Sequence, residues 1–148
     1  MPVVELLLWA AMHVVKATVS GQAGQHTDRV GRRPLILTGW MVYAITLFAL
    51  AFVTQPLMLW AWSLALGFYF GLTEGAERAL VRDLATPTER GAAFGWFHML
   101  VRLAAIPAGV MLGWLWTAFS AKTAFLSSSR LAIIAVTGFW RRVQTEPV

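Results

Sequence analysis

The sequence predicts an all-α membrane protein, a polytopic bundle of about five transmembrane helices. Hydrophobic residues make up 58% of the 148-residue chain and charged residues only 13%, whereas a soluble domain is about 45–50% apolar. In addition, no Asp, Glu, Lys, Arg or His occurs between Pro34 and Thr73. As a helix, that stretch of about forty residues would be about 60 Å long, twice the hydrocarbon thickness of a bilayer. We therefore expect it to hold two membrane spans joined at Thr54-Gln55-Pro56.

Five apolar segments follow one another along the chain, and we predict a membrane span for each. The first continues beyond the usual apolar core of a signal peptide and carries Glu5 without a basic start, so a span is predicted rather than a leader. The apolar run of the fifth is interrupted near its middle by Ser127-Ser128-Ser129-Arg130, where the arginine would need a partner, a water-filled neighbour or a shifted membrane boundary. The expected spans lie near residues 3–22, 35–54, 57–81, 92–117 and 122–140, in a single membrane domain with no soluble domain.

The placement of positive charge predicts the orientation of the spans, because cytoplasmic loops retain Lys and Arg. The arginines that flank the spans all fall on one side of a five-span arrangement, whereas the connections on the other side contain only Lys122. We therefore expect a multi-pass protein of the cell inner membrane with its N-terminus outside and its C-terminus in the cytoplasm. The flanking arginines are Arg29, Arg32, Arg33, Arg82, Arg90, Arg141 and Arg142.

Several other classes of protein are disfavoured by the sequence. The net charge of +5 does not indicate a nucleic-acid partner, because the basic residues lie at the ends of apolar runs and not in a patch on a soluble fold. No cysteine is present, so disulfides and thiolate metal sites are excluded. GxxxxGK[ST], HExxH and GxSxG are absent, and His13, His26 and His98 have no ligand spacing. We therefore expect no enzyme, catalytic residue, metal or cofactor, and any energy that the protein uses would come from a gradient instead of ATP.

Residues 24–33, GQHTDRVGRR, form a basic segment between the first two spans, and we predict that they make a tight cytoplasmic turn. Gly24 and Gly31 permit backbone conformations that are closed to other residues. Pro34 suits the first turn of the following span. On physical grounds two interpretations of this segment remain. It is either a simple hairpin with positive charge on the cytoplasmic side or a loop with a function of its own.

This segment also resembles the signature loop of the major facilitator superfamily of secondary transporters. The third span, near residues 57–81 and ending GLTEGAERALVRDL, and the sequence TPTERGAAFG after it resemble the later helices of bacterial members. The resemblance implies an alternating-access carrier of a small solute, with lipid and that solute as its partners and H+ as a candidate coupling ion. The matching positions are Gly24, Asp28, Arg29, Gly31, Arg32 and Arg33.

The resemblance implies that the chain corresponds to helices eight to twelve of a twelve-helix transporter. A half of such a carrier has six spans and begins in the cytoplasm, whereas five spans that begin outside are predicted here. We therefore expect either a fragment or a subunit whose partner supplies the missing N-terminal half. The alternative function is a non-transporting helix bundle that assembles with, or regulates, another membrane protein.

The resemblance further implies that the loop acts as a gate. Arg32 would pair with Asp83 at the end of the helix two spans later, and Asp28 would face a helix of the other half; a solvated charge cluster is the alternative. Arg90-Gly91 resembles the ERG element of the family. Independently of the family, Thr86-Pro87-Thr88-Glu89 predicts a capped helix N-terminus with the proline at the first helical position.

Charged and titratable residues inside the third and fourth spans are the candidates for substrate binding or proton coupling, because a charge near the bilayer centre costs about 2.5–3.5 kcal/mol on insertion scales. From the helical rise, Glu74 would lie about 13 Å deep and Arg102 about 18 Å deep, so the two would be able to pair. Arg78 is the alternative partner at i,i+4, and mutual neutralisation between packed helices is the structural alternative. Lys16 would reach the interface and is given no role. The candidates are Glu74, Glu77, Arg78, His98 and Arg102.

Glycines at four-residue spacing predict close helix packing in the third and fourth spans. In the third span they are Gly67, Gly71 and Gly75, and in the fourth Gly109 and Gly113.

Overall fold

The computed structural model describes the backbone of residues 2–145 and the side chains of residues 3–23 and 31–144. Within residues 2–145 the secondary-structure elements are all α-helices, joined by short connections. Each helix is long and apolar enough to cross a membrane. The predicted all-α bundle of about five spans is therefore confirmed. The helices are α1 (Pro2–Val30), α2 (Arg32–Leu50), α3 (Pro56–Leu84), α4 (Arg90–Ala118) and α5 (Ala121–Thr145).

The connection between α1 and α2 is a single residue. Gly31 has φ +85°, in the left-handed region that glycine occupies at little cost. The predicted turn over residues 24–33 is therefore wrong in extent, since α1 continues to Val30. Gln, Arg and similar residues are adequate helix formers, and a lone glycine weakens a helix without ending it. The side chains of Asp28 and Arg29, like Gly24, lie outside the part whose side chains are described.

The bundle is built around α2 and α3. The first helix packs along α3, and α2 lies between α3 and α5. By contrast, α4 touches α3 and α5 less extensively and contributes no buried residue. The exposed apolar side chains of the bundle are suited to contact with lipid. The buried apolar residues among those described are Ala23, Ile36, Leu37, Ala44, Leu47, Leu72, Ala76, Ala124 and Val136.

Two of the predicted glycines allow α1 to approach α3 closely. A Cβ atom at Gly67 would lie 2.5 Å from the backbone oxygen of Met12, and one at Gly71 would lie 2.6 Å from the Cβ of Val19. The packing prediction is confirmed at these positions. It is wrong at Gly75, Gly109 and Gly113, which face open space.

The serine-rich segment interrupts the apolar pattern of the fifth span but not its helix, because α5 is continuous from Ala121 to Thr145. Ser129 is buried, and its Oγ donates a hydrogen bond to the backbone oxygen of Ala44 on α2 at 2.9 Å. Ser128 donates to the backbone oxygen of Ala124 at 3.0 Å, within its own helix. Because backbone carbonyls satisfy these hydroxyls, the helix runs through the segment. Arg130 is exposed.

The connection between α3 and α4 also differs from the predicted cap. The helix begins at Arg90, so Pro87 is not its first residue. The hydroxyl of Thr86 donates to a carboxylate oxygen of Glu89 at 2.5 Å, and the backbone N–H of Glu89 donates to the carbonyl of Thr86 at 2.9 Å. The threonine therefore closes a turn before the helix, because its hydroxyl is engaged by a side chain instead of a helical N–H.

Candidate functional site

A carboxylate with two cations lies between α1 and α3, within the membrane-spanning part of the bundle. Lys16 Nζ lies 2.5 Å from Glu74 Oε2. Arg78 Nη2 pairs with Glu74 Oε1, one helical turn further along α3. Pairing offsets the cost of placing charge in the hydrocarbon region. Since two cations share one carboxylate, the cluster carries a net positive charge when all three groups are ionised.

Close packing of the two helices brings Lys16 to Glu74. A Cβ atom at Gly71 would lie 3.0 Å from the backbone oxygen of Lys16, so the backbones nearly touch one turn before the carboxylate. Ser20 Oγ donates to the carbonyl oxygen of Gly71 at 3.4 Å. The ammonium group also lies 5.8 Å from the ring centroid of Phe70, within the range of a cation–π contact. The lysine is therefore positioned from several directions.

The cluster borders a cavity of about 290 Å³, which we call the polar cavity. His98 reaches it from α4, and its ring centroid lies 5.2 Å from that of Phe97 and 6.4 Å from that of Phe94. The cavity thus brings residues of α1, α3 and α4 together. Its described charged or titratable lining residues are Lys16, Tyr69, Glu74, Glu77, Arg78 and His98.

The second carboxylate, Glu77, is held from α2. Trp40 Nε1 donates to Glu77 Oε1 at 3.0 Å, and the carboxylate is half-buried. Among the side chains that the structure describes, none forms an ion pair with it. Glu77 therefore differs from Glu74, whose charge is matched by neighbouring cations.

Glu77 also lines a larger cavity of about 530 Å³ between α2, α3, α4 and α5, which we call the aromatic cavity. Tyr43 and Tyr69 stack there with centroids 4.7 Å apart. Glu77 is thus shared by the two cavities. The aromatic cavity is lined by aliphatic side chains and by Trp40, Tyr43, Tyr69, Phe97 and Phe139.

A second group of charges lies where α2 begins and α3 ends. Arg32 and Asp83 form an ion pair, as expected from the sequence. Arg82 Nε lies 3.6 Å from Asp83 Oδ1. Since 40% of the Asp83 side chain is exposed, water screens this pair more than a buried one. Arg33 is engaged by another group.

The predicted gating residues on α4 make fewer contacts. Arg90 begins the helix and is exposed. Gly91 faces open space. The gating residues Gly24, Asp28 and Arg29 belong to the part of α1 whose side chains are not described.

The two alternatives for the partner of Glu74 are now distinguished. Arg78 pairs with it, whereas Arg102 is exposed and forms no ion pair with a described side chain. Lys16 is the partner that sequence reasoning missed. Its charge within an apolar segment was a signal, but only the packing of α1 against α3 identifies its partner. The hydrogen bond from Trp40 to Glu77 was missed as well, because only the packing of α2 against α3 brings these two residues together.

When the chain is compared with protein families, one family matches most of its length. The profile of the Major Facilitator Superfamily matches residues 7–148. No solved structure matches the chain significantly.

Curated relatives agree with this match. An uncharacterized MFS-type transporter of Methanocaldococcus jannaschii is 31% identical over 134 residues, 90% of this chain and 33% of the relative. Multidrug resistance protein MdtH of Cronobacter sakazakii is 30% identical over 121 residues, 76% of this chain and 30% of the relative. The class B tetracycline resistance protein of Escherichia coli is 30% identical over 139 residues, 93% of this chain and 33% of the relative. The chain thus spans about a third of the length of these relatives.

Proposed function

Because the chain belongs to the major facilitator superfamily, we propose that it forms part of a secondary carrier that moves a small solute across the cell inner membrane by alternating access. The observation that carries this proposal is the Lys16–Glu74–Arg78 cluster, an ionised group on the polar cavity within membrane-spanning helices. Ionisable residues in such positions commonly belong to a substrate or proton pathway. The family relation supports a carrier and not an enzyme.

Within this proposal, the chain corresponds to helices eight to twelve of the carrier, in a single membrane domain. The signature pattern over residues 24–33 supports the assignment, and the match to about a third of each relative supports part of a longer carrier. The remaining helices, including an N-terminal half, belong to a longer chain or a partner. The flanking arginines support an N-terminus outside and a C-terminus in the cytoplasm.

Glu74 is the residue that we assign to substrate contact or proton exchange. A proton on Glu74 would leave Lys16 and Arg78 without a counter-charge, so protonation or a bound anion would change the balance of the cluster. Glu77, His98 and Arg102 are further candidates; the first two share the polar cavity with Glu74. A purely neutralising cluster is the alternative outcome of the test below.

The Arg32–Asp83 pair is assigned to a gate at the cytoplasmic end of the bundle. It joins the first residue of α2 to the end of α3, so separation of these ends would have to break it. The proposed gate also includes the rest of the signature loop and the start of α4, which comprise Gly24, Asp28, Arg29, Gly31, Arg33, Arg90 and Gly91.

The test measures uptake by vesicles in which a pH gradient is imposed, with tetracycline as the probe because one relative is named for resistance to it. The chain is reconstituted alone and together with the product of the reading frame that encodes the remaining helices. We expect the combination to accumulate the probe and Glu74→Gln to abolish accumulation with membrane insertion unchanged. Glu5→Gln makes the same chemical change on an exposed part of α1 and is the matched control.

Two results would contradict the assignment. Full uptake by Glu74→Gln would remove Glu74 from the pathway and leave the cluster with a neutralising role. Absence of gradient-driven uptake by the combination, for tetracycline and for a panel of other small solutes, would favour the non-transporting bundle.

A further inference from the structure

The aromatic cavity combines a large apolar volume with one charged group. Its volume is about 530 Å³, and among the described residues that line it Glu77 is the only charged one. Ligand sites are typically cavities of about 300–1,000 Å³, lined by apolar and aromatic side chains with a few polar groups that orient the ligand. The aromatic cavity has the size and the lining of such a site.

The carboxylate determines the sign of charge that this cavity favours. Glu77 accepts one hydrogen bond from Trp40, whereas a carboxylate has about four acceptor positions. Within the described side chains, no cation is paired with it. A half-buried carboxylate with spare acceptor capacity would attract a positively charged ligand, because the ligand would supply the missing counter-charge.

The aromatic rings point to the same charge. The centroids of Trp40 and Phe139 are 5.3 Å apart, and the stacked Tyr43 and Tyr69 lie on the same cavity. Faces of Trp, Tyr and Phe attract cations, and aromatic cages commonly recognise substituted ammonium groups. Rings and carboxylate together suit a charged centre that carries a bulky apolar body.

We propose that the aromatic cavity binds a lipophilic organic cation, with its charged centre at Glu77 and its apolar body among the aromatic side chains. This deepens the proposed carrier function by naming a ligand class, and it rests on that function for any movement of the ligand. Binding itself is independent of transport.

An anionic lipid is the competing occupant. A neighbouring groove shares Trp40 and Phe139 with the aromatic cavity and is bordered by Arg33 and Arg142. Basic pockets between membrane helices bind anionic headgroups, and an acyl chain would fit an apolar cavity. The position of Glu77 favours the cation, because an acyl chain would leave the carboxylate without a counter-charge. Any cation would hold its charge at Glu77, away from the two arginines.

The test uses two probes of nearly the same shape and opposite charge, tetraphenylphosphonium and tetraphenylborate. Binding to the purified chain in detergent micelles is measured by equilibrium dialysis, with protein-free micelles as the background. We expect saturable binding of the phosphonium and at least about tenfold weaker binding of the borate. Saturable binding of the borate at equal or higher affinity would overturn the proposal and favour the anionic lipid.

Variants then locate the site. Glu77→Gln should weaken phosphonium binding at least about tenfold, whereas Glu5→Gln, with the same chemical change away from the cavity, should leave it unchanged. Ala132→Trp should reduce binding of either probe, because it fills the aromatic cavity from α5. Equal affinities for Glu77→Gln and Glu5→Gln would overturn the assignment.

Two further measurements keep the outcome interpretable. If Glu77→Gln loses helical circular dichroism, Glu77→Asp replaces it as the test variant. This variant keeps the charge, so it should still bind the phosphonium more tightly than the borate. Loss of that preference in a folded Glu77→Asp variant would count against the proposal. Binding without gradient-driven uptake would retain the cation site and reject the carrier function. Gradient-driven uptake without saturable phosphonium binding would retain the carrier function and reject the cation site.

Discussion

Replacing Gly67 by alanine tests the close packing of α1 against α3. The added Cβ would lie 2.5 Å from the backbone oxygen of Met12 and 3.1 Å from the Cβ of Val15. For the first contact to reach 3.4 Å, the start of ordinary van der Waals distances, α1 must withdraw by about 0.9 Å. A backbone oxygen has no rotamer by which to avoid the clash. Overpacking of this kind costs about 1–3 kcal/mol.

Gly75→Ala is the matched control, two turns further along the same helix. A Cβ atom there meets nothing within 4 Å. Both substitutions gain about 1 kcal/mol from the higher helix propensity of alanine, so this gain cancels when the variants are compared. We therefore expect Gly67→Ala to be less stable than Gly75→Ala by about 1–3 kcal/mol.

The measurement is unfolding of the purified chain in mixed micelles with increasing sodium dodecyl sulfate, followed by far-ultraviolet circular dichroism. A lower midpoint for Gly67→Ala than for Gly75→Ala would support the close approach of the helices. Identical midpoints would refute it, because the two changes differ only in what the added methyl group meets.

Three other changes test separate contacts. In a vesicle transport assay, Arg32→Asp with Asp83→Arg should recover more activity than either single substitution, because the reversed pair restores the attraction; equal losses in all three would reject the pair. Ser129→Ala should lower the unfolding free energy by about 0.6 kcal/mol, the mean for hydrogen bonds between membrane helices, and by no more than about 1.7 kcal/mol, their maximum. Ser128→Ala loses only a bond within α5, so equal effects would contradict a contact with α2. Gly31→Ala should cost about 1–3 kcal/mol from its backbone conformation alone, φ +85° and ψ 160°, a region that is essentially restricted to glycine; an unchanged unfolding midpoint would show that the turn does not require this conformation.

The sequence was informative where one segment determines its own structure. An uncharged stretch from Pro34 to Thr73 is sufficient to predict two helices and the break between them, because length and hydropathy act locally. The exact turn before Pro34 was less predictable. Only Gly31 has a backbone conformation that ends α1, and the polar residues before it are compatible with a helix.

Contacts between helices were harder to predict. Ser129 looked unfavourable within a span because its partner, the carbonyl of Ala44, lies on a helix distant in sequence. Lys16 was passed over for the same reason, since nothing local to α1 indicates that Glu74 lies opposite. By contrast, Arg78 was predicted as a partner because i,i+4 geometry belongs to the helix itself.

The contacts of α3 indicate which part of the bundle deforms most easily. Its Glu74 pairs with α1, whereas Glu77 and Asp83 are bound by Trp40 and Arg32 of α2. A rotation or axial shift of α3 would break several of these contacts together, so α1, α2 and α3 are expected to move as one body as long as the proposed Arg32–Asp83 gate is closed.

The fourth helix has no comparable restraint. It contributes no buried residue, and none of the ion pairs between described side chains involves it. Segments with few buried contacts open at the lowest free energy. Since α4 supplies Phe97 to both cavities and His98 to the polar one, a displacement of α4 would change the shape of both. Such a displacement would leave the pairs at Glu74 and Asp83 intact, so within this chain α4 is the helix that can change both cavities without breaking an ion pair between described side chains.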